Sequence, residues 1–277
     1  MHLIRKASLA LALLTAAGMA APALAGGNPL YVESSNSQFG VLNPTTGAYT
    51  LIGTTSELIG GLGYGANGQL YGLGQDGTGS LFAINTTTAA LTFIGNTGVP
   101  TAGSAGYSFG ATSDGTLYAD SNGKSYQINP ATGTAVLLGS LGFTSTGGLN
   151  GDDKGNLYLT GGSQSQGLYQ VSRTTGQGTP IGTSTYGTVY GLADTGGTLY
   201  AINTTGSIFS VNTATAAGTL MATYNGATVG SVYAAAAQLS PAPVPEASTT
   251  VSLGLLLTLG LGAVVVSARR RKASSTL

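Results

Sequence analysis

The sequence predicts an all-β protein, a five-bladed β-propeller closed by its own two ends, and three observations predict it. A Leu-Tyr dipeptide recurs at Leu30-Tyr31, Leu70-Tyr71, Leu117-Tyr118, Leu157-Tyr158 and Leu199-Tyr200. Each is followed by an alternating apolar run and then, at a fixed interval, by a small residue. The repeat starts and stops in different phases, so the two ends are complementary parts of one unit. Self-similarity with a period of about 40 residues is the mark of propeller blades or solenoid turns.

The repeat resolves into four short strands, A to D. Strand B contains Leu-Tyr. Strand C is the run 39–43, 81–85, 125–129, 168–172 or 208–212, which ends in Asn, or in Ser172 in the fourth repeat. In four repeats an aromatic alternates with a β-branched residue: Phe82 with Ile84, Tyr126 with Ile128, Tyr169 with Val171, Phe209 with Val211. Period-two alternation means a half-buried strand. A turn follows, as in Pro44-Thr45-Thr46-Gly47 and Pro130-Ala131-Thr132-Gly133. Proline pre-sets the turn and glycine takes a positive φ at its end. Ala89 and Ala216 replace that glycine, which predicts that their turns depart from the others.

Strand D ends at Gly53, Gly95, Gly139, Gly182 and Ala222, always ten residues after the Asn/Ser position. That constancy predicts a tight hairpin in fixed register without insertion. Strand A precedes every Leu-Tyr strand but the first, with apolar centres at Leu62, Phe109, Leu149, Leu192 and Val232. The first four lead into turns such as Asp152-Asp153-Lys154-Gly155. Four strands in about 42 residues fit one propeller blade. The repeats begin with B, C and D of one blade and end, at 230–235, with a lone A strand. Joining these ends completes a fifth blade and leaves no ragged sheet edge. An open β-solenoid is the alternative, but it has no need of complementary ends.

Composition limits the chemistry. The chain has no Cys, and its one His is His2. Disulfides, thiolate metal sites and Cys nucleophiles are excluded. Beyond the leader there is no His base or ligand. Residues 26–240 carry three basic side chains, Lys124, Lys154 and Arg173, against eight carboxylates, so no basic stripe exists to neutralise nucleic-acid phosphates. No cofactor motif occurs.

The ends read as targeting segments. Arg5 and Lys6, the apolar stretch 9–17 and Ala23-Leu24-Ala25 form the three parts of a secretory signal peptide. Cleavage after Ala25 would remove residues 1–25 and leave a repeat domain at 26–237. Residues 250–268 form an uncharged apolar run long enough to span a bilayer, and Arg269, Arg270, Arg271 and Lys272 follow it. The positive-inside rule keeps that basic tail, 269–277, in the cytoplasm and places the repeats outside. The linker 238–249 holds Val244-Pro245-Glu246-Ala247 immediately before the apolar run.

Pro-Glu dipeptide, apolar helix and terminal Arg cluster together resemble the PEP-CTERM sorting signal. The resemblance covers roughly the last 35 residues, and Ala247 stands where that signal normally has a second proline. It implies processing by an exosortase-type membrane protease and transient membrane anchoring through the helix. It also implies a final place on the cell surface or outside the cell, in bacteria that make exopolysaccharide. The repeats resemble uncharacterised bacterial proteins of the Leu-Tyr-x-Ile-Asn-Pro-x-Thr-Gly type, which implies a fold and no activity.

In such a blade the A–B and C–D turns share one face of the ring, and the B–C and D–A loops share the other. Length variation falls in the second set, with the longest loop at 96–106. Variable loops on a rigid scaffold are where binding residues concentrate. Glu57, Asp76, Asp120, Lys124, Phe143, Tyr186 and Tyr224 are expected on that face, and Tyr, Asn and Asp there suit stacking and hydrogen bonding to a glycan such as exopolysaccharide. The alternative is a carboxylate- or calcium-dependent hydrolase or lactonase. Its carboxylates would come from Glu33, which is expected just after a strand B, from Glu57 in a D–A loop, and from Asp76 and Asp120, because Asp114, Asp152, Asp153 and Asp194 are expected to cap A–B turns. Asp120-Ser121-Asn122-Gly123 resembles part of a calcium loop but lacks the distal Glu. Gly106-Tyr107-Ser108-Phe109-Gly110 has nucleophile-elbow spacing, yet it falls on a strand A and has no His partner. These features point to a non-catalytic binding or structural module.

Overall fold

A computed structural model describes residues 28–101, 106–161 and 167–239. The chain divides into two units, Met1–Ser240 and Pro241–Leu277. The leader, the Pro-Glu motif, the apolar run 250–268 and the Arg cluster all lie outside the described residues. Among the described residues no helix is long and apolar enough to cross a membrane.

Among the described residues twenty strands form five four-stranded antiparallel sheets. Blade 1 contains β1 (Leu30–Ser34), β2 (Gln38–Leu42) and β3 (Tyr49–Thr54). Blade 2 is β4 (Ile59–Tyr64), β5 (Leu70–Gly74), β6 (Ser80–Ile84) and β7 (Leu91–Asn96). Blade 3 is β8 (Tyr107–Ala111), β9 (Leu117–Ser121), β10 (Lys124–Ile128) and β11 (Ala135–Ser140). Blade 4 is β12 (Ser145–Gly151), β13 (Leu157–Gly161), β14 (Gly167–Val171) and β15 (Gly178–Thr183). Blade 5 is β16 (Val189–Thr195), β17 (Thr198–Asn203), β18 (Ser207–Val211) and β19 (Gly218–Thr223). A one-turn helix, α1 (Gly226–Val229), then leads to β20 (Val232–Ala237), which pairs with β1 and completes blade 1. The ring is therefore closed by the first and last strands of the fold, as the repeat phase predicts. Asn28 donates to the Gln238 carbonyl just beyond that pairing.

The core is five clusters, one in each seam between blades. The Leu and Tyr of each B strand explain the pattern: both are buried because they face opposite seams. Tyr31 packs with Ile59 and Leu62 of blade 2, while Leu30 packs with Tyr200 and Ile202 of blade 5.

Every C–D hairpin carries a β-bulge at the same place, for example between Leu81 and Phe82. The ten-residue spacing is real, but it includes one unpaired residue, and the bulge turns strand D. The recurring D-strand glycine has a packing cause. A Cβ on Gly95 would overlap the Thr132 carbonyl in the next blade's C–D turn. In four turns the Asn that ends strand C caps the turn, its Oδ1 accepting backbone N–H groups as Asn43 does from Thr45 and Thr46 at 3.0 and 3.1 Å. Ala89 and Ala216 do not alter their turns. Both take positive φ, 60° and 62°, and donate to Asn85 and Asn212 as Gly47 does to Asn43. The hydrogen-bonded frame overrides the alanine preference.

Three further expectations are corrected. Glu33 lies within β1 rather than after it, and Asp194 lies near the end of β16 rather than in the turn itself, though its Oδ1 still caps that turn by accepting from the Gly197 N–H (3.2 Å). Val232 begins β20 in the place of Ile59, so the apolar centre of that strand is Ala235.

The A strands β4, β8, β12, β16 and β20 surround the axis, each packed against the next. They hold small residues where they approach, and a Cβ on Gly110 would overlap the Leu149 carbonyl. At the centre Asn150 bridges four blades. Its Nδ2 donates to the carbonyls of Leu192 (2.9 Å) and Ala235 (3.1 Å). Its Oδ1 accepts from the N–H of Ala111 (3.3 Å) and of Gly151 (3.0 Å). All four hydrogen-bonding positions of the amide are used. Each buried backbone group left without its partner costs about 1–3 kcal/mol. Asn150→Ala is therefore expected to lower unfolding free energy by more than about 3 kcal/mol, measured by urea denaturation. A loss below 1 kcal/mol would show that the axis closes without the amide.

Candidate axial binding site

The A strands begin on the face that carries the D–A and B–C loops, and their first residues form the mouth of the axis. Three of these are tyrosines: Tyr107 opens β8, and Tyr190 and Tyr233 are second in β16 and β20. Tyr190 and Tyr233 occupy bulged positions, which re-aim a side chain out of the sheet alternation. Their rings meet edge to face with centroids 5.7 Å apart. Blade 2 has Gly60 at the corresponding bulge, and the Tyr107 hydroxyl fills the space a Cβ would need there. Tyr107 thereby leans across blade 2 toward blade 1. Burial pushes its phenol up, and Tyr233 and Asp76 add to that shift.

The result is an aromatic crescent running from blade 5 over blades 1 and 2 to blade 3, with the Asp76 carboxylate near its Tyr107 end. Tyr190 is 37% exposed, and Tyr107 and Tyr233 are half-buried. Such rings offer an apolar face and a hydrogen-bonding hydroxyl to one ligand. The arrangement suits a neutral ligand with a flat apolar face and polar edges.

Of the residues expected on this face, Glu57 and Lys124 are exposed, Glu57 on its loop and Lys124 at the start of β10. Asp76 is at the surface and its Oδ1 accepts from the N–H groups of Thr78 (3.0 Å) and Gly79 (2.8 Å), so it holds its own loop. Phe143 is half-buried and stacks on Tyr169 at 4.0 Å. Asp120, Tyr186 and Tyr224 are corrections: all three are buried. A D–A loop crosses from the outer edge of one blade to the axis of the next, and so its aromatics drop into the seam. Tyr186 packs on Leu168 and Val189, while Tyr224 donates to the Asn203 carbonyl (3.1 Å) and accepts from the Val232 N–H (3.2 Å). Asp120 sits in β9, inside the seam between blades 3 and 4. Tyr107, Tyr190 and Tyr233 were not among the expected site residues. The available signal was an aromatic near the start of three A strands that strand alternation leaves unexplained.

The opposite face carries clefts between blades. One, of about 530 Å³, lies between blades 1 and 2 against Tyr31, Tyr64 and Gln69. Another, of about 440 Å³, lies between blades 4 and 5 and is lined by Asp152, Asp153, Asp194 and Lys154. Burial first, then Asp153, pushes the Asp194 carboxyl up to about 7. Among the described residues no group of three or more His, Cys, Asp or Glu side chains is placed to hold a metal ion. On the same face Arg173 pairs with Asp114 and donates to the Tyr118 hydroxyl at 3.0 Å, tying blade 4 to blade 3. Burial pushes Asp114 up, but hydrogen bonds from Thr112 and Arg173 outweigh it and bring the carboxyl to about 2.

No protein-family model and no curated protein matches this sequence. Solved structures do share its fold. A symmetrical protein described in connection with de novo evolutionary emergence under folding constraints is 18% identical, with a TM-score of 0.51 over 78% of this chain and 100% of its own. A chain of the nidogen/laminin complex is 13% identical, with a TM-score of 0.54 over 78% of this chain and 100% of its own. At these identities the likeness concerns the fold alone.

Glu33 is fully buried in the seam between blades 1 and 2, where Thr55 Oγ1 donates to its Oε1. Burial raises its pKa from 4.5 to about 8, against the hydrogen bonds from Thr55 and Ile59. A carboxyl raised on folding stabilises the fold fully below its unfolded pKa, and that contribution is lost as pH rises through the folded value. Stability is thus expected to fall between about pH 4 and 8, with part of the fall removed by Glu33→Gln. Urea midpoints at pH 5 and pH 8.5 measure it, and an unchanged pH slope in the variant would contradict the assignment.

Proposed function

We propose that this chain is an exported cell-surface or extracellular-matrix module that binds a glycan at the axial tyrosine crescent and performs no catalysis. The observation that carries the reading is the cluster of Tyr107, Tyr190 and Tyr233 around the mouth of the axis. A pyranose ring has the flat C–H face and hydroxyl edge that such a cluster complements. The crescent holds no basic side chain and the Asp76 carboxylate acts on Tyr107, which favours neutral sugars over nucleotides or acidic peptides. A fold shared with a chain of the nidogen/laminin complex is one that also takes part in recognition. Export through the leader and sorting through the Pro-Glu tail by an exosortase-type protease bring the module to the exopolysaccharide layer, which is our proposed partner.

Two measurements test this. Intact mass of protein from envelope and medium should show loss of residues 1–25 and of the tail beyond about Pro245; a mass retaining residues 250–277 in both fractions would contradict sorting and release. Binding to purified exopolysaccharide from the producing cells, read by calorimetry, should weaken about two- to tenfold in Tyr190→Ala, the size expected for loss of one stacking ring. Unchanged binding in a Tyr190→Ala/Tyr233→Ala double variant would remove the crescent as the site.

A further inference from the structure

Glu33 and Asp120 occupy the same place in two repeats: Leu30-Tyr31-Val32-Glu33-Ser34 is matched by Leu117-Tyr118-Ala119-Asp120-Ser121. Each carboxylate is fully buried and each faces the seam with the following blade. Their surroundings differ. Glu33 is flanked in register by Ala234 on β20 and Phe39 on β2, and Ile59 opens the next blade. Thr55 donates to it from the loop.

Around Asp120 every one of those positions carries a different residue. Ser108 on β8 replaces Ala234, Ser125 on β10 replaces Phe39, and Ser145 opens the next blade in place of Ile59. Leu141 stands where Thr55 stands, so the loop supplies bulk but no side-chain donor. The other three seams put Leu81, Leu168 and Ile208 in the place of Ser125, all fully buried. The blade 3–4 seam alone exchanges this apolar layer for hydroxyls, and it does so around a carboxylate.

One oxygen, Glu33 Oε2, is left without a partner in the blade 1–2 seam, and five are around Asp120. Both carboxylate oxygens of Asp120 and the hydroxyls of Ser108, Ser125 and Ser145 are buried and make no hydrogen bond. The Ser125 side chain faces this seam, since a Cβ on Gly176 of blade 4 would touch it. Buried polar atoms are almost always satisfied by protein, water or an ion. Ser125 and Ser145 also stand where the blade 1–2 seam has Phe39 and Ile59, so this layer carries less side-chain volume on those strands.

We propose that this cluster of oxygens is a monovalent-cation site, taking sodium, that joins blade 3 to blade 4. Hard oxygen donors suit a hard cation. One carboxylate balances one positive charge, whereas a divalent ion would leave a net charge buried in an apolar seam. Without a cation, burial pushes the Asp120 carboxyl up to about 7, against the favourable influence of Ser125 and Ser108. With sodium bound it stays ionised. The site lies in a seam, apart from the tyrosine crescent, so it stands or falls independently of glycan binding.

The test is thermal unfolding of the full chain at pH 8.5 in sodium chloride and in N-methylglucamine chloride at equal ionic strength. Sodium is expected to raise Tm by about 3 °C in a concentration-dependent and saturable way. Asp120→Asn and Ser145→Ala, the second a milder change that keeps the carboxylate, should both reduce that response while still unfolding cooperatively. A crystal grown with thallium in place of sodium should show an anomalous peak between Asp120 and Ser145. Equal Tm in the two salts, or a sodium response unchanged in both variants, would overturn the proposal. Stabilisation by calcium but not by sodium would overturn the monovalent assignment.

Discussion

Five blades close only if their inner strands nearly touch, and this constraint governs the molecule. It selects glycine and alanine along β4, β8, β12 and β20, because a larger residue at a position such as Gly110 would meet the neighbouring backbone. It also leaves backbone groups at the axis that no sheet ladder satisfies. Asn150 satisfies them from blade 4 by reaching blades 1, 3 and 5 with one amide. An apolar side chain there would fill the same space and leave the donors and acceptors unpaired, which in a dry core is the costlier arrangement. Closure by pairing β20 with β1 then converts an open array into a ring without exposed A or B edges.

The same constraint creates the candidate site. A narrow axis cannot hold a ligand, so recognition is confined to its mouth, where the A strands begin. Bulges at Tyr190 and Tyr233 turn these rings toward the opening, and the missing side chain at Gly60 lets Tyr107 join them from blade 3. The pseudo-symmetry is broken there, and it is broken again in the blade 3–4 seam around Asp120. In a repeat fold the positions that depart from the repeat are the ones that packing alone does not dictate.

Much of the fold was legible because its physics is periodic. Leu-Tyr marks strand B, since adjacent residues face opposite seams and both must be buried. The Asn-x-x-x-Gly spacing marks a capped turn, and the phase of the end repeats gives the closure. The D-strand bulge was not legible, because a bulge present in every repeat leaves the spacing constant. Ala89 and Ala216 misled for a related reason: five hydrogen-bonded turns impose positive φ regardless of local preference. The site was legible only in part. Glu57 and Asp76 are at the surface as expected, whereas Tyr186, Tyr224 and Asp120 are buried, because a loop residue's exposure depends on the seam beneath it. Asn150 carried no sequence signal beyond being polar within an apolar strand, and its partners lie up to 85 residues away.

Hydrogen exchange on the full chain with and without purified exopolysaccharide tests the axial site most directly. Protection is expected at the starts of β8, β16 and β20, around Tyr107, Tyr190 and Tyr233, and little change on the A–B and C–D turns. Protection confined to those turns, around the cleft of Asp152, Asp153 and Asp194, would place recognition on the other face and contradict the role assigned to the tyrosines.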